Sequence, residues 1–189
     1  MSQFFNFEEE EPKIYQLWLK RNVGSLKSSS KDPFVLTMPP PNANGELHLG
    51  HVFGYVTMDI LGRFYRAKGL PTLLLPGKDH AGIQTQVVYE KKLKAEGIDP
   101  ATLAREELYK KCSEFCLDRA GYMRAQEQSI GITADWDKEF FTLDERLNRT
   151  VYETFIQMWN DGLIYKGLRI VNWSVFSQTA ISDVEVEYQ

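Results

Sequence analysis

Two histidines, His48 and His51, stand three positions apart around Leu49 and Gly50. On a helix that spacing puts both rings on one face. Imidazoles there can donate hydrogen bonds to phosphate oxygens, so the pair points to nucleotide chemistry. Gly50 has no side chain, which would let a flat base or sugar approach the backbone. The plain alternative is a pair of surface histidines near a helix end. Asp79 lies in a second motif-like stretch, Pro76 to Gln86. As an isolated residue, it could simply cap the helix that begins near Ile83.

The elements that must position these residues follow from patterning. Phe34 to Met38 is a short apolar run between Pro33 and Pro39 and reads as a buried strand. Pro39, Pro40 and Pro41 then hold φ near one value, so the chain leaves the strand as a stiff wall. Asn42, Asn44 and Gly45 form a turn. From Glu46 to Lys68 the spacing predicts a helix, with Val52, Val56, Ile60 and Phe64 as its apolar stripe and Leu49, Phe53 and Leu61 beside it. Unpaired N–H groups and the positive dipole end at its start predict an anion site. Thr72 to Leu75 reads as a second buried strand, and strand, helix, strand make a parallel crossover unit. Lys78 to Gly82 follows as a loop. In such sheets ligands bind beyond the carboxyl ends of the strands, so this loop and the proline loop should face one crevice.

The rest of the chain supplies support. Glu11 to Arg21 reads as a helix with Ile14, Leu17 and Trp18 inward, and Ser25 to Asp32, including Ser28 to Lys31, as a solvated connector. Helices follow at Ile83 to Glu96 and beyond Thr102, which can cap the second; its stripe is Leu108, Cys112, Phe115, Cys116 and Met123. Gly131 to Trp136 reads as a connector. Thr142 and Glu145 predict a capping box opening a helix to Asp161. Leu163 to Tyr165 and Arg169 to Trp173 read as strands, and Thr179 to Gln189 as an exposed hairpin arm. The expected class is α/β, a Rossmann-like parallel sheet with a short C-terminal β-hairpin arm.

With 189 residues, 43% of them hydrophobic, the chain can bury a real core. The net charge of -4 advertises no polyanion partner, so any nucleic-acid contact must come from local patches or from parts outside this chain. Cys112 and Cys116 are the only cysteines. They suggest reduced, packed thiols in a cytoplasmic protein. No signal peptide or long apolar run argues for export or a membrane.

The run Pro39-Pro40-Pro41-Asn42, with Gly45-Glu46-Leu47-His48-Leu49-Gly50-His51, resembles the His-x-Gly-His element of class I aminoacyl-tRNA synthetases. Pro76 to Gln86 lies where that family places its amino-acid-binding element. The wording His80-Ala81-Gly82-Ile83-Gln84-Thr85-Gln86 is close to the valyl branch and unlike the isoleucyl and leucyl ones. The resemblance continues through Gly131 to Trp136, Val171-Asn172-Trp173 and Asp183 to Glu187, so it covers nearly the whole chain.

This resemblance implies adenylation of valine by ATP and transfer to tRNA(Val), with Mg²⁺ as part of the ligand set. It assigns His48 and His51 to catalysis and, with Asn42 and Gly50, to ATP binding. Pro40, Pro41, Asn42 and Asp79 would bind the amino acid, Asp79 through its α-ammonium. Lys78 departs from the family, where Thr or an aromatic residue is expected. An ammonium in the crevice would repel the substrate's amino group, whereas alternation along the loop would send it elsewhere, to ATP or solvent.

Several relatives hold zinc through Cys-x-x-Cys where this chain has Ser174 and Ser177, so no structural zinc is expected. A Lys-Met-Ser-Lys-Ser loop, an editing insertion and an anticodon-binding region are absent, which suggests an N-terminal part of a larger synthetase. Its expected divisions are a helix and connector over 1–32, the first half of a Rossmann-like catalytic domain over 33–162, and strands over 163–189 leading to an editing insertion. An incomplete sheet predicts an open edge and self-association. Alternatives are an isoleucyl- or leucyl-type synthetase, or a noncatalytic synthetase-derived binding module.

Overall fold

The computed structural model describes residues 5–27, 32–176 and 178–187. Residues 28–31 of the predicted Ser25 to Asp32 connector, Ser177 and the last two residues of the hairpin arm lie outside them. The chain divides into two units, 1–148 and 149–189.

In the first unit, β1 (Phe34–Thr37) pairs in parallel with β2 (Thr72–Leu75), in register from Phe34 opposite Thr72 to Thr37 opposite Leu75. Helix α2 (Leu49–Ala67) connects them and packs on both. Pro76 interrupts the second strand, and β3 (Gly77–Lys78) then pairs in parallel with β4 (Phe140–Phe141). The start of the predicted Lys78 to Gly82 loop is therefore strand. The distant partner that makes it so is reached only after α3 (Ile83–Ala95) and α4 (Arg105–Ser129). A Cβ on Gly77 would come within 2.4 Å of the Phe140 ring, so this close pairing needs glycine. Thr102 does not cap α4, whose N-cap is Ala104. Its hydroxyl instead donates to the Asp99 carbonyl in a 3₁₀ turn.

The face that α2 buries differs from the predicted stripe. Tyr55, Asp59 and Gly62 are buried, whereas Phe53, Ile60 and Phe64 are exposed. Polar bonding turns the helix this way. The Asp59 Oδ1 atom accepts the Thr133 N–H at 2.9 Å and also the Thr133 hydroxyl, and Oδ2 accepts Arg63 Nε–H at 2.7 Å. One turn on, Arg66 donates to the Thr133 hydroxyl at 2.6 Å and to its carbonyl at 2.9 Å. Ile132 to Trp136, predicted as a connector, is thereby held inside. Ile132, Ala134 and Trp136 join Met38, Tyr55 and Leu74 in one core cluster.

Helix α1 (Phe7–Lys20) starts earlier than predicted, with Glu8, Glu9 and Glu10 in its first turn, where acidic charge suits the dipole. Ile14 and Leu17 are exposed. The docking residues are Leu19, which packs on the core, and Tyr15, whose hydroxyl donates to the Ile132 carbonyl at 2.7 Å and accepts Trp136 Nε1–H at 2.9 Å. Burial pushes the Tyr15 phenol up to about 12.

Helix α5 (Glu145–Asn160) begins in the first unit and continues into the second. In the second unit, β5 (Asn172–Ser174) and β6 (Thr179–Ile181) form an antiparallel hairpin, with Asn172 opposite Ile181. The predicted strand at Leu163 to Tyr165 does not form. Ser182 and Glu185 cap each other's backbone around a 3₁₀ turn that ends the arm's alternation.

Asp59→Ala leaves the buried Thr133 donors without their acceptor and should cost about 3 kcal/mol of unfolding free energy in urea titration. Arg63→Ala leaves both Thr133 donors bonded to Asp59 and should cost clearly less than Asp59→Ala. Equal losses in the two variants would contradict this assignment.

Candidate active site

The proline wall is fixed from two sides. Tyr55, one turn into α2 beyond His51, donates its hydroxyl to the Pro39 carbonyl at 3.0 Å. The Asp79 N–H donates to the Pro41 carbonyl at 2.9 Å, and the Ala43 N–H donates to the Asp79 carbonyl at 2.7 Å. These two bonds form a parallel bridge between Asn42 and Asp79. Two loops far apart in sequence are thus joined by main chain.

His48 is the N-cap of α2 and forms a reciprocal capping box with His51. His48 Nδ1 accepts the Gly50 N–H at 3.1 Å, and His51 Nδ1 accepts the His48 N–H at 3.3 Å. A ring nitrogen that accepts carries no proton, so in both neutral imidazoles the proton sits on Nε2. The rings stack with centroids 3.8 Å apart. His51 also stacks at 6.1 Å on Tyr55, which links the pair to the proline wall. Burial, aided by the neighbouring His48, lowers the His51 pKa below its ordinary 6.5 and favours the neutral ring.

The helix start therefore differs from the open set of N–H groups expected there. His48 takes up the Gly50 N–H, and the donors offered outward are imidazole Nε2–H groups. Gly50 matters for a related reason. A Cβ there would lie 2.9 Å from His48 Cε1, so the space predicted for a base or sugar is filled by the capping ring.

Asp79 does not cap α3, whose N-cap is Gly82. Its Oδ1 accepts the Ala81 N–H at 2.9 Å and the Thr142 hydroxyl at 3.2 Å. Among the described residues Oδ2 has no hydrogen-bond partner, and the side chain is 38% exposed. The Thr142 oxygen also meets the His80 N–H at 2.8 Å and His80 Nδ1 at 2.6 Å. With one proton and two lone pairs, that hydroxyl is satisfied if His80 donates twice and Thr142 donates to Asp79. Thr142 thus serves the Asp79 loop instead of the capping box predicted with Glu145. Pro41 is buried and Pro40 half-buried. Asn42 is exposed and donates through Nδ2 to Gln84 Oε1 at 2.8 Å.

Lys78 does not reach solvent. Its side chain is 2% exposed, and Nζ lies 2.8 Å from Glu127 Oε2 and 2.9 Å from Glu139 Oε1. Glu139 Oε2 pairs further with Arg124 at 3.2 Å. Burial pushes the Glu127 carboxyl up, against the pull of Lys78. Tyr55, His80, Thr142 and this ion cluster escaped the sequence reading. Each works through a partner at least sixteen residues away in sequence, which local spacing does not reveal.

The cysteines are free, Cys112 half-buried and Cys116 buried. Burial pushes the Cys116 thiol up to about 11, which suits packing better than reactivity. Among the described residues no group of three His, Cys, Asp or Glu is placed to hold a metal ion, and no helix is long and apolar enough to cross a membrane.

A family profile described as tRNA synthetases class I (I, L, M and V) matches residues 13–189. The chain is 46% identical over 190 aligned residues to a chloroplastic/mitochondrial valine–tRNA ligase of Arabidopsis thaliana, covering 99% of this chain and 19% of that protein. It is 42% identical to the valine–tRNA ligase of Treponema denticola, covering all of this chain and 21% of the relative. The corresponding enzyme of Dehalococcoides mccartyi is 43% identical, again over the whole chain and 22% of the relative. The chain thus spans about a fifth of the length of these relatives. In fold it is similar to an Agrobacterium radiobacter K84 LeuRS crystallised in a ternary complex with tRNA and LeuAMS. That likeness has a TM-score of 0.76 at 23% identity, over 97% of this chain and 21% of the other. Residues 13–189, which carry both site loops, place this chain in the class I tRNA synthetase family.

Proposed function

We propose that this chain serves valine–tRNA ligation: activation of valine by ATP to valyl-adenylate, then transfer to tRNA(Val). The observation that carries most weight is the backbone bridge between Asn42 and Asp79, because it sets an exposed carboxylate beside the proline wall that leads into the imidazole-capped helix. The similarity to valine–tRNA ligases adds to it.

In this scheme Asp79 Oδ2 receives the α-ammonium of valine through a charge-assisted hydrogen bond. Pro40 and Pro41 offer a stiff apolar wall to a small branched side chain, and Asn42 borders both substrates. The valine carboxylate attacks the α-phosphorus of ATP, a carboxyl–phosphate bond forms, and the bond to pyrophosphate breaks. Negative charge builds on phosphate oxygens as this happens. The Nε2–H groups of His48 and His51, held in place by their own caps, stabilise it without reorganising. Gly50 keeps room for the cap. Mg²⁺ arrives with the nucleotide and neutralises phosphate charge.

Residues 33–162 are the first half of the catalytic domain in this scheme, 1–32 lead into it, and 163–189 lead toward an editing insertion. The protein acts in the cytoplasm, in keeping with its two free thiols. The outer edge of β1 has no strand partner among the described residues, and self-association of this chain would proceed through it.

ATP–pyrophosphate exchange in the protein carrying this chain should run best with valine. Preference for isoleucine or leucine would reassign the substrate, and no exchange with any amino acid would favour a noncatalytic module. His48→Ala and His51→Ala should each slow exchange by about 10² to 10³ while the protein stays folded. An unchanged rate would remove the histidines from the chemistry. Asp79→Asn should weaken valine binding by about 1.5 to 3 kcal/mol and spare ATP binding. Equal loss of both would count against its role.

The capping box depends on unprotonated Nδ1. His51 has a lowered folded pKa, so its contribution to stability is complete above the unfolded value of 6.5 and is lost as pH falls through the folded value below it. An NMR titration should show the His48 amide and the His51 ring shifting together, with a midpoint below 6.5. A midpoint above that value would show that the cap does not hold the ring neutral.

A further inference from the structure

We propose that Lys78 is a positioning residue. Clamped between Glu127 and Glu139, it turns the neighbouring Asp79 carboxylate toward the crevice. This rests on Asp79 being the anchor for the amino acid's ammonium group. Residues adjacent in an extended segment point to opposite sides. Lys78 is extended in β3, and its carbonyl accepts the Thr142 N–H at 3.1 Å. Asp79 follows directly, tied through its own N–H and carbonyl to the proline loop. Whatever holds the Lys78 side chain inward therefore holds the Asp79 side chain outward.

The hold on Lys78 is strong because of where it lies. A buried ammonium is tolerated only when paired, and here the pairing carboxylates come from two separate places, Glu127 on α4 and Glu139 just before β4. Rotating or slipping β3 by one residue would pull the cation out from between them and present Asp79 to the interior. Glu127 could not absorb that loss. It is fully buried, and its Oε1 already lacks a hydrogen-bond partner. The same pairing removes the objection to a lysine beside an ammonium site, since two carboxylates, one also paired with Arg124, face its charge.

The test is ATP–pyrophosphate exchange in the protein carrying this chain, comparing Lys78→Met, Glu127→Gln and Asp79→Asn with the parent. KM for valine, KM for ATP and melting temperature are read for each. Lys78→Met should raise the KM for valine by about 10- to 100-fold, with the KM for ATP unchanged, as expected for a misplaced binding group. A purely structural ion cluster would instead lower the melting temperature and raise both KM values alike, and that result overturns the proposal. So does a folded Lys78→Met protein with the parent KM for valine while Asp79→Asn raises it. If Asp79→Asn itself leaves the KM for valine unchanged, the assignment of Asp79 fails first and the clamp with it. Should Lys78→Met fail to fold, Glu127→Gln, which keeps the size and hydrogen-bonding capacity of the side chain, is judged by the same criteria.

Discussion

The site depends on a main-chain run, Thr72 to Asp79, that is hydrogen-bonded along both edges. On one edge it pairs with β1, continues through the Met38 N–H to the Leu75 carbonyl, and ends in the bridge to Pro41 and Ala43. On the other, the Asp135 N–H reaches the Leu74 carbonyl at 3.0 Å, the Phe140 N–H the Pro76 carbonyl at 3.3 Å, and the Thr142 N–H the Lys78 carbonyl at 3.1 Å. Proline at position 76 can sit inside such a run because the ladder there needs its carbonyl and not the N–H it lacks. A segment so held has little freedom to rotate. Backbone pairing holds the run in place, and the burial of Lys78 between Glu127 and Glu139 selects which of its faces turns inward.

That constraint explains what is legible in the sequence and what is not. The unit β1, α2, β2 shows because apolar runs, prolines and helical spacing are local signals, and Thr72 to Leu75 needs no partner to be recognised as a strand. The histidine pair is visible for the same reason, since its spacing is three residues, whereas the local reading of Asp79 as a helix cap fails and only the family resemblance singles that residue out. By contrast, Gly77 and Lys78 look like loop until Phe140 and Phe141 are known to lie beside them. Thr142 three residues before Glu145 matches a capping box, yet its oxygen is taken by His80 and Asp79. Non-local pairing overrode a sound local signal in each case.

Helix α2 shows the same competition between two kinds of burial. Its apolar stripe would win if area alone decided. Here Asp59, Arg63 and Arg66 instead bond into the Gly131 to Thr133 backbone, with the Arg63 guanidinium also reaching the Gly131 carbonyl at 2.7 Å. Buried backbone polar groups are costly to leave unpaired, and this stretch has no ladder of its own to satisfy them. The helix presents its acceptor and donors to that stretch and leaves Phe53, Ile60 and Phe64 outward. An apolar count predicts a face only where the surface beneath makes no hydrogen-bond demands.

Charge around the Asp79 loop follows from the same economy of partners. Lys78 and Arg124 are matched by Glu127 and Glu139, so this cluster presents no net positive charge when both carboxylates are ionised. Raising the Glu127 pKa by burial sets a limit on that balance, because a protonated Glu127 would leave the cluster positive. The imidazoles at the start of α2 accept through Nδ1 and are neutral in that geometry. Asp79 is then the exposed charge on its loop, with one oxygen tied to Ala81 and Thr142 and the other open. A neutral donor pair and one open carboxylate favour a ligand with an anionic end and a cationic end, and give a simple anion no charge to pair with.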